Sequence, residues 1–148
     1  MTTLAVAATL IVVGVPSFNA FIRSNRTTAH TNDLAAALSL ARSEAIHRGT
    51  AVTVCSSTDG ASCSASNDWT TGWIAVDAGG NLLRAWPRRS GGANVVTGNT
   101  DRVQFLPRGN ASAGGLVFDI ELPGCTGPGA REVRVNAAGR VSVARVNC

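Results

Sequence analysis

Lysine and tyrosine are missing from this 148-residue chain, histidine occurs only twice, and no cysteines form a Cys-x-x-Cys pair. All thirteen basic residues are therefore arginine, and against nine acids they leave a formal charge of +4. That excess is too modest for a histone-like coat on nucleic acid. Without tyrosine, and with 5% aromatic residues, a surface that reads bases by stacking has little to work with. The acids are scattered and the cysteines lack the short ligand spacings of zinc sites, so neither metal nor cofactor is expected. Ser43 and His47 stand one helical turn apart, but no orienting third group, nucleophile elbow or oxyanion donor set accompanies them. His30 has no such company either, so the expectation is no catalytic residue and no enzyme. Gly79-Gly80, Gly91-Gly92 and Gly114-Gly115 do not open a helix after a strand, as a phosphate loop must, and read as turn glycines. A sustained heptad and an internal repeat are also lacking, which argues against a coiled coil or a solenoid.

What is present divides sharply at one point. Residues 4–15 are apolar apart from Thr9 and hydrophobic all round the helix, the pattern of a segment that meets lipid or the centre of a bundle. The run falls short of the about 20 residues needed to cross a bilayer, and no basic leader or small-x-small site marks it as a secretory signal. Pro16 follows, where a continuing helix would lose one hydrogen bond and kink. Phe18, Phe21 and Ile22 recur at helical intervals, then Arg23, Asn25, Arg26 and Thr27 turn polar. Leu34, Leu38, Ala41 and Ala45 next form a single stripe, with Ala37 beside it. His47 and Arg48 suit a last turn and Gly49 a left-handed cap. A helix continuous from Met1 to Arg48 would be roughly 70 Å long.

Beyond Thr50 the hydrophobic period becomes two. Residues 51–55, 73–76 and 82–86 read as strands, the last two joined by a hairpin turn over residues 77–81. Residues 87–92 read as an exposed loop. Residues 103–106 and 116–120 read as a further antiparallel pair, and residues 132–135 and 140–143 as a final hairpin about residues 136–139. Val133 and Val135 would share one face with Val141 and Val143, leaving Arg134 and Arg140 to solvent. Trp69, Trp73 and Trp86 are expected to anchor a small core. The even cysteine count and the polar loop between Cys55 and Cys63 favour disulfides Cys55–Cys63 and Cys125–Cys148 over four buried thiols. Disulfides place the head in an oxidising compartment, and the second would pin a terminus that otherwise frays.

Charge is zoned: three Asp and no Arg between residues 50 and 83, five Arg against Asp101 between 84 and 108, and four Arg against Glu132 from 131 onward. Such zones are either solubilising surface or a patch for a polyanion or acidic partner.

Several fragments together carry a resemblance: residues 7–21 with the Gly14-Val15-Pro16-Ser17-Phe18 step, Ala41-Arg42-Ser43-Glu44-Ala45 with Arg48-Gly49, Val52-Thr53-Val54-Cys55, Trp69 with Gly72-Trp73, and Leu83-Arg84. In this order and spacing the chain resembles the type IV pilin-like proteins, specifically minor pilins and pseudopilins of the FimT/GspH type. The resemblance implies an α+β lollipop. A long N-terminal helix would comprise a membrane and filament-core part (residues 1–22) and an amphipathic part (residues 23–49), packed on an antiparallel β-rich head (residues 50–148). It also implies about half a dozen further residues ahead of Met1, with the processing site. The implied function is a structural subunit at or near the tip of a type IV pilus or type II secretion pseudopilus, first inserted in the inner membrane with a periplasmic head and later exposed at the cell surface. Its partners would be other minor pilins, the major pilin or pseudopilin, and inner-membrane lipid. Leu4, Leu10, Ile11, Val12, Val15, Pro16, Phe18, Phe21 and Ile22 would pack against sister helices. Some relatives receive double-stranded DNA in natural transformation through a C-terminal Gly-Arg-x-Arg motif. Here Gly139-Arg140 is present, but Ser142 takes the second arginine's place. Arg131, Arg134, Arg140 and Arg145, with Arg88 and Arg89, are the candidates to neutralise phosphates without reading sequence, provided that they converge on one edge.

Overall fold

The computed structural model describes residues 2–88 and 95–148, with side chains for residues 21, 22, 24–88 and 95–148. One helix, α1 (Thr2–Arg48), opens the chain. Among the described residues eight strands follow: β1 (Val52–Ser56), β2 (Gly72–Asp77), β3 (Leu82–Pro87), β4 (Val95–Gly98), β5 (Arg102–Phe105), β6 (Leu116–Glu121), β7 (Ala130–Val135) and β8 (Val141–Val146).

α1 runs through position 16 as one element and ends where its composition changes. His47 and Arg48 occupy the last turn, and Gly49 takes a φ of +64°, the conformation that caps the helix without a Cβ clash. Leu34, Ala37, Leu38, Ala41 and Ala45 are completely buried, so the expected stripe is the face by which the helix is held.

The strands divide into two four-stranded antiparallel sheets, ordered β3-β2-β1-β5 and β4-β6-β7-β8. The hairpins β2–β3 and β7–β8 form as expected, the latter with Val133 opposite Val143 and Val135 opposite Val141. The expected pairing of residues 103–106 with 116–120 does not form. Instead β5 lies against β1, with Val54 opposite Val103, while β6 lies between β4 and β7. Alternation fixes which face a strand buries but not which strand it pairs with. Residues 106–115 also make a longer connection than the about 2–5 residues of a hairpin loop. β4 had no counterpart among the expected strands, and Arg89 to Gly92 of the expected loop lie outside the described residues.

Both sheets and the helix stripe enclose one core, in which Trp69, Phe105 and Phe118 are fully buried. Trp69 meets Phe118 edge-on at 4.9 Å, and its indole N–H donates to the Thr100 carbonyl at 2.9 Å. Trp73 is buried as well, and Trp86 packs at the margin beneath the Arg84 guanidinium at 5.1 Å. All three indoles therefore hold the fold together. Cys55–Cys63 and Cys125–Cys148 are bonded with the expected connectivity.

Gly139 closes the β7–β8 turn at a φ of +76°. A Cβ there would run into the carbonyl oxygen of Gly109, so this turn needs glycine for both its conformation and its space.

Candidate functional site

The first candidate surface is the helix ahead of the head. From Thr27 the side facing the sheets is buried, but toward the N-terminus this cover ends: Ser24, Asn25 and Arg26 are exposed and Phe21 is 63% exposed. A phenylalanine so open, just ahead of the buried stretch of the helix, is a candidate contact surface. Ile22 is half-buried. The side chains of Leu4, Leu10, Ile11, Val12, Val15, Pro16 and Phe18 lie outside the described residues. Among the described residues no helix is long and apolar enough to cross a membrane.

The arginines form the second candidate, and the sheet sorts them. Arg131 shares its side of β7 with the buried Val133 and Val135 and so faces α1, where its Nη2 donates to Thr28 Oγ1 at 3.3 Å. Arg145 is its direct cross-strand partner on β8. Both line a cavity of about 250 Å³ together with Ser24, Thr27 and Leu122. A neighbouring cavity of about 290 Å³ continues along α1 past Thr31 and the half-exposed Val143. Arg134 points to the opposite side and is closed by Glu132: its Nε and Nη2 both donate to that carboxylate, the latter at 3.1 Å. Glu132 stands opposite Asp119, whose carboxyl is pushed above its usual range by burial and then by Glu132, with Arg134 pulling it back. Arg134 thus neutralises an acidic pair on its own sheet. Arg140 sits at the far end of β8, where it shares a cavity of about 370 Å³ with Ser39, Arg42 and Ser43. The Arg42 Nε there is buried without a hydrogen-bond partner among the described residues. Arg88, at the end of β3, is near Asp68, which its charge helps to keep ionised. Arg89 is outside the described residues. Of the five described candidates, the structure brings together Arg131 and Arg145.

Ser24, Thr27, Thr28 and Arg42 were not among the candidate site residues expected from the sequence. They meet the arginines only because α1 lies alongside β8, some hundred positions later in the chain, and no local pattern announces such a contact.

Among the described residues the remaining polar groups do not converge on one point. Ser43 and His47 are both exposed, and no group of three or more potential metal ligands occurs among the described residues. Asp59 is a loop organiser: it accepts from the backbone N–H of Ala61 and Ser62 and from the hydroxyls of Ser57 and Ser62. These bonds, with that of Ser62 the largest, hold its carboxyl far below the usual range.

Comparison with known proteins gives this geometry a context. A search of curated protein sequences finds no match. Among solved structures the chain is similar to the type IV minor pilin FimU of Pseudomonas aeruginosa, with a TM-score of 0.68 at 22% identity over 84% of this chain and 92% of that one. It is also similar to the minor pseudopilin EpsH from the type 2 secretion system of Vibrio cholerae, with a TM-score of 0.55 at 13% identity over 80% and 96%. Both are pilin-type structural subunits rather than enzymes. The model of the type II transport protein GspH matches residues 30–139. Because that span runs from the buried stripe of α1 through both sheets to the β7–β8 turn, this chain belongs to the GspH family.

Proposed function

We propose that this non-enzymatic, GspH-family subunit joins a type IV pilus or type II secretion pseudopilus as a minor component at or near its tip. Before assembly α1 is held in the inner membrane with the head in the periplasm, and afterwards the head is displayed at the cell surface. One observation carries the reading: the buried face of α1 runs from Thr27 to Ala45 against the head, whereas just ahead of it Phe21 is 63% exposed. Apolar helix surface of this kind is stable only against lipid or other helices. Two disulfides fit a periplasmic head. A place at an end suits a subunit present in few copies, because a shaft position repeats along the whole filament. Affinity capture of the full-length protein from membranes of its own host tests this. Recovery of other pilin-type subunits, identified by mass spectrometry, is the expected outcome, and recovery of none would overturn the proposal.

Reception of double-stranded DNA draws less support from the geometry. Arg134 is taken up by Glu132, and Arg140 lies at the other end of β8 from Arg145. A duplex would then meet two separated basic points rather than a strip, and its binding would be weak and steeply salt-dependent. A gel-shift series across salt concentrations, repeated with Arg140→Ala and Arg145→Ala, tests this reading. Binding that is independent of salt or survives both changes would exclude it.

A further inference from the structure

We propose that Arg131 and Arg145, with Ser24, Thr27 and Thr28, form a site for the phosphate of an anionic phospholipid headgroup, occupied while the chain resides in the membrane before assembly. The inference rests on the membrane-anchored reading of α1.

Charge is the first argument. Arg131 and Arg145 stand directly opposite each other on adjacent strands, an arrangement that destabilises a sheet when the charges are alike. Among the described residues neither forms an ion pair, and no acidic side chain lines either cavity that they share. Burial, and then the charge of Arg145, make the Arg131 proton easier to lose. This is the mark of a cation pair lacking its counter-ion. Elsewhere in the same sheet the opposite imbalance is cured, since Arg134 pairs with Glu132 and its charge also favours the ionised form of the neighbouring Asp119. A phosphate between Arg131 and Arg145 would do the same from outside.

The second argument is the donor set. Thr28 Oγ1 accepts from Arg131 and donates to the Ser24 carbonyl at 2.9 Å, which holds the guanidinium at the cavity wall. Two guanidinium groups beside hydroxyls match a tetrahedral anion with several acceptor oxygens.

Position is the third. Ser24 follows Ile22 by about 3 Å of helix rise and Thr28 by about 9 Å, while the headgroup layer is about 5–8 Å deep on each side of the hydrocarbon. The site therefore falls at headgroup depth when Phe21 and Ile22 reach the hydrocarbon. The adjoining loop, residues 122–129, contains no charged residue and contributes Leu122 and Pro128 to the cavity, so it can rest on the interface. DNA is the less suitable occupant. The cavity is small, and Arg140 is about 17 Å further along the strand.

The test uses the full chain. Flotation with neutral phosphatidylcholine vesicles and with vesicles containing phosphatidylglycerol reports insertion, and native mass spectrometry from neutral detergent reports retained lipid. The expectation is flotation with both vesicles and one retained phosphatidylglycerol, preferred over phosphatidylcholine by about 30-fold for two arginines at a membrane surface. The double change Arg131→Gln and Arg145→Gln should abolish the preference, Arg145→Gln alone should reduce it, and Arg84→Gln on β3 should leave it intact. Arg145 is exposed, so the single variant remains informative if the double variant misfolds. Flotation without lipid preference, or preference retained in Arg145→Gln, overturns the site alone. Failure to float with either vesicle overturns the membrane reading and the site with it. Displacement of the lipid by millimolar inorganic phosphate would assign the site to free phosphate, and displacement by a short duplex at low salt would assign it to DNA. Either result overturns a lipid site.

Discussion

Replacing Leu38 by alanine examines the joint between helix and head more directly than any change in the sheets. Leu38 is fully buried in the stripe that α1 presents to the core shared by both sheets. Removing three buried carbons forfeits about 2.4 kcal/mol at about 0.8 kcal/mol each. The cavity left behind adds to this, because its walls belong to two sheets and a helix that cannot all close in, and the total comes to about 3–4 kcal/mol. Ser39→Ala, at an exposed neighbouring position, should change stability by less than about 0.5 kcal/mol. Urea unfolding of the full chain in mild detergent, followed by tryptophan fluorescence, reads the difference, since Trp69 is fully buried in the same cluster. A loss below about 1 kcal/mol for Leu38→Ala, or equal losses for both variants, would refute the claim that this stripe fastens the head.

Gly139→Ala should cost at least about 2 kcal/mol in the same assay, because it combines a left-handed backbone with a collision against Gly109. Gly124→Ala, where φ is +73° but nothing lies within 4 Å, should cost only about 1 kcal/mol. Opening Cys125–Cys148 with serines releases a longer loop than opening Cys55–Cys63, with sequence separations of 23 and 8. Chain entropy places the losses at about 3.5 and 2.6 kcal/mol, an order that equilibrium unfolding of the two variants would check. The Asp59 carboxyl titrates lower when folded than unfolded, so its contribution is present above the ordinary value of 3.8 and declines as pH falls below it. Amide signals of Ala61 and Ser62 should therefore be unchanged from pH 7 to 5 and shift only in stronger acid, while Asp59→Asn should shift them at every pH.

The helix was legible because its signals are local: an apolar stripe at Leu34, Leu38, Ala41 and Ala45, and a glycine cap at Gly49. The hairpins β2–β3 and β7–β8 were legible for the same reason, since their strands are joined by short turns. The split into two sheets was not, because the placement of β5 beside β1 and β6 beside β4 depends on which unpaired edges meet in space. Likewise the arginine zones could be seen as composition, but their division could not. Strand parity sends Arg134 to Glu132 on one side and Arg131 to Thr28 on the other, and the helix residues that complete the second site are remote in sequence.

The most direct test of the central claim, that α1 around the exposed Phe21 is an assembly surface, is site-specific photo-cross-linking from position 21 in cells that build the filament. An adduct between this chain and another pilin-type subunit is the predicted result. Adducts only with lipid, or none, under conditions where the other subunits assemble, would contradict it.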